Sequence, residues 1–151
     1  MKSRLAAASL VTLVLAVGGC GGDDGDKGLT KQEFIAQADA ICQKAQKKGA
    51  TVMYGDAFSD AAFLSRHNAL TRDALKRLRA LDAPEGDRKA VDHVLSALEA
   101  SVAAVQKRIA SLRAGDRPRQ SEAQQDFELS YGDVAASAGA LGLTQCQALG
   151  A

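Results

Sequence analysis

Residues 87–114, DRKAVDHVLSALEASVAAVQKRIASLRA, carry the most regular hydrophobic pattern of this 151-residue chain. Their larger apolar side chains recur at alternating steps of four and three residues, a spacing that places them on one face of an α-helix. They are Val91, Leu95, Leu98, Val102, Val105, Ile109 and Leu112. This seam of about three heptads predicts a long helix that packs inside a bundle or forms a dimeric coiled coil. Gly115 predicts its C-terminal end.

The segments on either side show the same periodicity. A second helix is predicted from about Ser59 to Asp82, and the short turn through Pro84 predicts that it runs antiparallel to the helix that follows. Its apolar stripe is Phe63, His67, Leu70, Ala74, Leu78 and Leu81. A fourth helix is predicted with Pro118 in its first turn and Gly142 at its C-terminal cap. Its stripe is Ala123, Phe127, Tyr131, Val134, Ala138 and Leu141.

The start of the first helix is marked by a capping box. Thr30 is the expected N-cap with Glu33 as its partner, and Leu29 and Phe34 fit a hydrophobic staple. The apolar face that follows comprises Phe34, Ala38, Ile41, Cys42 and Ala45. Gly49 is predicted just beyond the helix end, at C′.

Four amphipathic helices with short connections predict an all-α fold, an up-down-up-down four-helix bundle. Three further apolar stripes need covering, which favours packing of residues 87–114 within the chain over a dimeric coiled coil. Residues 50–58 fit either an extension of the first helix or a loop over the bundle end. The abundance of alanine and leucine, with only two prolines, also favours helices over sheets.

The N-terminal twenty residues have the pattern of a secretory signal, with a cationic Met1-Lys2-Ser3-Arg4 before an apolar run from Leu5 to Val17. As a helix this run would reach about 20 Å, less than the ~30 Å of bilayer hydrocarbon, so a membrane-spanning helix is not expected. Val17-Gly18-Gly19-Cys20 resembles the bacterial lipobox. The resemblance implies a diacylglyceryl group on the Cys20 sulfur and cleavage before Cys20. The alternative is an ordinary secretory signal that is cut nearby.

Three regions are therefore predicted. Residues 1–19 form a lipoprotein signal peptide, residues 20–29 hold the lipidated cysteine and a flexible Gly/Asp tether, and residues 30–151 form the helical bundle domain. An extended tether of ten residues keeps the domain within about 35 Å of the membrane.

Composition excludes several classes of partner. The chain has 19 basic and 18 acidic residues, and loss of the signal peptide, which holds Lys2 and Arg4, leaves 17 basic residues against the same 18. This balance argues against nucleic acid as a partner. Aromatic residues make up 4% of the chain and tryptophan is absent, so no stacking platform for sugars or bases is expected.

The interpretation of the other two cysteines depends on the role of Cys20. If Cys20 carries lipid, Cys42 and Cys146 remain as a pair in an oxidising compartment, where a disulfide is expected. The alternative is two buried free thiols. The tail after Gly142 is long enough to fold back, since four extended residues span up to about 14 Å.

Three segments also resemble a known group of proteins: Leu29-Thr30-Lys31-Gln32-Glu33-Phe34-Ile35, Ala38-Asp39-Ala40-Ile41-Cys42 and Leu141-Gly142-Leu143-Thr144-Gln145-Cys146. Together with Cys20 they resemble the small secreted lipoproteins of high-GC Gram-positive bacteria. The resemblance implies the lipid anchor, the pairing of Cys42 with Cys146 and a helical domain. It implies no activity.

The sequence offers no constellation for catalysis or metal binding. His67 fits a partly buried, hydrogen-bonded histidine better than a ligand or base, and His93 falls opposite the apolar seam in solvent. Cys42 lacks a Cys-x-x-Cys partner, and no serine lies in a G-x-S-x-G turn. The chain is predicted to have no enzymatic activity and to bind no cofactor or metal.

Two basic clusters flank the predicted turns. The first basic cluster comprises Lys76, Arg77, Arg79, Arg88 and Lys89. The second basic cluster comprises Lys107, Arg108, Arg113, Arg117 and Arg119. Several of these residues occupy helix C-termini, where cations are favourable in any case. The predicted topology places the first cluster at the tethered end of the bundle, where it is expected to face the membrane.

These features predict a lipid-anchored protein on the extracytoplasmic face of the cell membrane, acting as a non-catalytic interaction or scaffold module of the envelope. The expected partners are the membrane, through the anchor, and an envelope protein or a small ligand. The alternative is a carrier of a small apolar ligand, because alanine or glycine at many stripe positions leaves space for a cavity between the helices.

Overall fold

The structure of the protein, a computed structural model, describes residues 28–51 and 61–149. In these ranges the chain forms four α-helices: α1 (Lys31–Ala50), α2 (Ala61–Leu78), α3 (Arg88–Ala114) and α4 (Arg117–Leu141). Two 3₁₀ turns, Glu85–Asp87 and Cys146–Ala148, complete the regular structure. The described residues contain no strand, and the predicted all-α bundle is confirmed for them. The predicted start of the second helix and residues 52–58 lie outside the described residues.

Most of the predicted helix ends are confirmed, because they depend on local chemistry. Thr30 Oγ1 accepts the Glu33 N–H at 3.3 Å, and the Thr30 N–H donates to the Glu33 carboxylate at 2.9 Å. Gly115 and Gly142 end α3 and α4 at φ 67° and 92°. This left-handed region is one that glycine adopts at little cost.

The predicted C-terminal end of the first helix is wrong. α1 continues through Gly49 to Ala50, and Gly49 is buried within the last turn instead of lying at C′. The reason is tertiary, since Gly49 faces the ring of His67 on α2. Glycine is needed here because it has no side chain and so permits the contact between two helices. It is not needed for a left-handed turn.

The second helix is also shorter than predicted, ending at Leu78 instead of Asp82. After Leu78 the chain tightens, because the N–H groups of Ala80 and Leu81 donate to carbonyls three residues back. Leu81 and Ala83 still pack against the core from this non-helical connection. The backbone thus turns toward α3 while its apolar side chains stay covered.

The core is built from the predicted stripes together with further positions beside them. Buried stripe residues include Phe34, Ala38, Cys42, Ala74, Leu78, Val91, Leu98, Val134, Ala138 and Leu141. Buried residues outside the predicted stripes include Leu64, Leu75, Val94, Ala97 and Ala104. α2 and α3 each contact a helix on both sides, so each buries a face broader than one stripe. The tail adds Leu143 and Leu149 to the same core.

Three contacts bring the start of α1, the α2–α3 connection and the end of α4 together. Lys31 Nζ lies 3.0 Å from Asp87 Oδ1. A Cβ atom on Gly28 would lie 3.2 Å from the carbonyl oxygen of Ala83, and Gly142 lies against a side chain of α1. These are contacts that an up-down-up-down order requires at this end, although the order itself stays a prediction.

Candidate functional site

The two cysteines of the helical domain lie at disulfide-bonding distance, as predicted. The Sγ atoms of Cys42 and Cys146 are 2.01 Å apart and the Cα atoms 5.1 Å apart, across 104 residues of sequence. Both side chains are fully buried in the main core. The bond therefore fastens the C-terminal tail to the middle of α1. Cys20, the predicted lipidation site, lies outside the described residues.

A polar clamp beside the disulfide holds the same tail. The Asp39 carboxylate accepts the N–H of Gln145 and the hydroxyl of Thr144, each at 2.9 Å. The Gln46 side-chain amide donates to the carbonyl oxygen of Gln145. Neither Asp39 nor Gln46 is among the residues for which the sequence predicts a role. The signal was present, however, because residues 39, 42 and 46 recur at helical spacing on the face that carries the buried cysteine.

The first basic cluster does not form one uniform patch. Arg77 pairs with Asp73 at 3.1 Å and lines the contact between α1 and α2. Lys76 and Arg79 lie along the other side of α2, facing α3. Arg79 pairs with Glu99 of α3.

Three members of the first basic cluster have no charged or hydrogen-bonding partner among the described residues. Lys76, Arg88 and Lys89 are exposed, and none of them makes a hydrogen bond or ion pair with another described residue. Arg88 and Lys89 occupy the first turn of α3, beside the α2–α3 connection. These three cations are therefore the part of the cluster that is available to an external anion.

The second basic cluster is mostly paired within the domain. Lys107 lies 2.7 Å from Asp126 of α4, and the hydrogen bond to this carboxylate raises the pKa of Lys107. Arg119 pairs with Asp116 at 3.3 Å, and Arg113 donates to the Ser65 hydroxyl at 3.2 Å. Arg108 is half-buried, and Arg117 is exposed at the start of α4. Lys107 and Arg113 thus join neighbouring helices, whereas Arg119 pairs with the N-cap of its own helix.

His67 sits at the contact between α1 and α2. Its ring is half-buried, stacks on Phe63 with the ring centres 6.0 Å apart, and lies against Gly49. Burial lowers the pKa of His67. The partial burial was predicted, but the ring has no hydrogen-bond partner among the described residues. The second histidine, His93, is exposed as predicted and lies 3.1 Å from Asp133 of α4.

The spaces between adjacent helices differ in size and charge. The cavity between α1 and α2 has a volume of about 10 Å³, close to the smallest space that holds one water molecule. The furrow between α3 and α4 has about 500 Å³, and two Lys/Arg side chains and two Asp/Glu side chains line it. A longer furrow follows α2 and α3, in two stretches of about 540 Å³ and about 280 Å³.

The described residues contain no group of three or more His, Cys, Asp or Glu side chains placed to hold a metal ion. None of the helices in the described ranges has both the length and the hydropathy that a membrane crossing requires. Comparison of the chain with known protein families, with curated proteins and with solved structures finds no match.

Proposed function

We propose that the chain is a lipoprotein held by Cys20 on the extracytoplasmic face of the cell membrane, and that its helical domain is a non-catalytic interaction or scaffold module. The observation that carries this proposal is the buried Cys42–Cys146 pair at bonding distance. Disulfides persist in oxidising compartments and are rare in the cytosol. The pair therefore supports the secretory pattern of residues 1–19 and, with it, the assignment of Cys20 to lipid.

The position of the first described residues supports a membrane-proximal orientation. Gly28 lies against the α2–α3 connection, and the eight residues back to Cys20 span at most about 28 Å. The free cations Arg88 and Lys89 lie beside this connection, at the start of α3. Lys76 lies in the last turn of α2, which leads into the connection, against Val102 and Ala103 of α3. Each cation near an anionic leaflet contributes about 1 kcal/mol, an attraction that fades beyond a Debye length of about 8 Å. Exposed Asp82 and Glu85 reduce it, so the domain rests only weakly on the membrane.

The packing of the small residues supports a module more than a carrier. Ala38, Ala74, Ala97 and Ala138 are 0–3% exposed and lie within the main core cluster. They bring the helices close together at these positions. The larger spaces lie instead in furrows between neighbouring helices, with charged side chains along them. Such furrows suit a protein surface better than an apolar small molecule.

Photo-crosslinking in intact envelopes tests the proposal. Crosslinkers are placed singly at exposed positions such as Arg72, Ala103 and Ala136. The proposal predicts that crosslinkers at positions next to one another on the surface capture the same envelope protein. Native mass spectrometry of the gently extracted chain is the matched measurement. A reproducible apolar adduct, without any protein crosslink, would favour the carrier and contradict the module.

A further inference from the structure

The junction of α2 and α3 forms a continuous furrow, here called the α2–α3 groove. It has two stretches, of about 540 Å³ and about 280 Å³, which share Arg72 and Gln106 as lining residues. It extends from Ser65 to Arg79 along α2, a distance of about 20 Å at 1.5 Å per helical residue. A groove of this length accommodates several turns of a third helix.

The α2–α3 groove is bordered mainly by positive charge. Arg72, Lys76 and Arg79 line it from α2 and Arg113 from α3, whereas Glu99 is the one carboxylate among its lining residues. Glu99 is already paired with Arg79. Arg72 and Lys76 make no hydrogen bond or ion pair with any described residue. The border is thus electrostatically complementary to an acidic ligand.

The base of the groove is mainly apolar, and its one buried amide, Asn68, donates to the carbonyl oxygen of Val102. Leu75, Val102 and Ile109 lie at the bottom, each less than a tenth exposed. Ala103 and Ala110 of α3 form part of the exposed wall. Alanine walls let another helix approach closely, as the ridge-and-groove packing of helices requires. The groove therefore offers a contact for apolar side chains beside a row of cations on the α2 side.

The two neighbouring inter-helix spaces lack this combination. The cavity between α1 and α2 has only about 10 Å³. In the α3–α4 furrow the cations Lys107 and Arg119 are paired with Asp126 and Asp116. Among these three junctions of the described helices, only the α2–α3 groove joins open volume, an apolar base and unpaired cations.

We propose that the α2–α3 groove docks an acidic amphipathic helix of a partner protein. Apolar side chains of that helix pack on Leu75, Val102 and Ile109, while its carboxylates face Arg72 and Lys76. A bilayer surface fits the observations less well, because a plane meets only the border and leaves the apolar base uncovered. The inference rests on the proposed function as an interaction module and names the surface and the chemistry of the partner.

Two matched pairs of variants of the mature chain, residues 20–151 with Cys20→Ser, test the groove. Arg72→Gln with Lys76→Gln removes two groove cations, and Arg88→Gln with Lys89→Gln removes two cations outside it. Ala103→Glu places a carboxylate in the groove wall, and Ala136→Glu places one on the exposed face of α4. All are exposed positions changed to good helix formers, so folding is retained, which circular dichroism checks.

The probe is an eighteen-residue amphipathic peptide with leucine and alanine on one face and glutamate along both edges. Its controls are the same peptide with lysine for glutamate, and a scrambled peptide of the same composition. We expect the acidic amphipathic peptide to bind, and each groove variant to weaken binding about three- to tenfold at low salt. The variants outside the groove change it by less than about twofold.

Equal binding of the lysine or scrambled peptide, or equal effects of groove and control variants, would overturn the docking site. So would binding to anionic vesicles that is weakened by the groove variants while the peptide does not bind. The envelope crosslinks separate the two proposals. A discrete partner captured from positions outside the groove refutes the docking site and leaves the module standing, whereas an apolar adduct without any partner refutes the module itself.

Discussion

Gly49 of α1 lies directly against His67 of α2: a Cβ atom added to Gly49 would be 3.3 Å from Nε2 of the imidazole. That distance is tighter than an ordinary van der Waals contact. Glycine in a helix interior costs about 1 kcal/mol relative to alanine, and here it permits the close approach of α1 and α2.

Gly49→Leu is therefore expected to destabilise the protein. The added side chain has to displace the His67 ring or separate α1 from α2, and overpacking of this kind costs about 1–3 kcal/mol. Ala50→Leu is the control, because Ala50 is exposed in the same turn. Urea unfolding followed by circular dichroism measures both variants. Equal free energies of unfolding for the two variants would show that the contact does not require glycine.

Stability is expected to fall at mildly acidic pH because of His67. Burial lowers the pKa of His67 in the folded protein, below the value of about 6.5 in an unfolded chain. As the pH falls through 6.5 the unfolded state binds more protons than the folded state, so the free energy of unfolding decreases. The decrease ends below the folded-state pKa, where both states are protonated.

Urea unfolding between pH 8 and pH 5 measures this effect. His67→Gln should lose less stability than the wild type over this range, because it lacks the titrating group. His93→Gln, at the exposed histidine of α3, is the control for the loss of an imidazole ring. If the wild type and His67→Gln have parallel pH profiles, His67 is not the source of the acid sensitivity.

The Asp39 clamp is expected to protect the disulfide. Asp39→Ala removes the acceptor of two hydrogen bonds from Thr144 and Gln145, at a cost of about 1–2 kcal/mol. The loosened tail should expose the Cys42–Cys146 bond, so reduction by dithiothreitol becomes faster, as monitored by alkylation and mass. Asp92→Ala changes an exposed carboxylate of α3 as a control. An unchanged rate of reduction in Asp39→Ala would mean that the clamp does not limit access.

The features that could be predicted from the sequence are those encoded within a few residues. Thr30 and Glu33 signal a helix start by themselves, and Gly142 signals a helix end by its own backbone freedom. The roles of Gly49 and Asp39 could not be predicted in this way, because each depends on a residue of another element. Glycine is a residue type that commonly ends helices, so the sequence predicts a helix end at Gly49. The helix continues through Gly49 because α2 packs against it at this position.

The arrangement of the first basic cluster also could not be predicted from the sequence. Its five residues are close in sequence to one turn, which suggested a single surface. The structure separates Arg77, on the α1 side of α2, from Lys76 and Arg79, on the α3 side. The direction in which each side chain points depends on how α2 is rotated against the two helices that it contacts. The number of charged residues near a turn does not contain this information.

Weak binding to anionic membranes is expected to depend on the three free cations of that cluster. The mature chain with Cys20→Ser should sediment with anionic vesicles at low salt, and Lys76→Gln with Arg88→Gln and Lys89→Gln should reduce this binding. Lys107→Gln, Arg117→Gln and Arg119→Gln together give the control with the same change of charge. If the two triple variants bind alike, or if the unsubstituted chain does not bind, the cluster has no membrane-facing role.

The intact mass of the mature protein in the membrane fraction distinguishes a lipid-anchored chain from a soluble one. A lipid-anchored chain should begin at Cys20 and carry the mass of a glyceride with its acyl chains. Cys42 and Cys146 should resist alkylation until the protein is reduced. A chain that begins at another residue, carries no lipid and is recovered in the soluble fraction would contradict the lipid anchor at Cys20.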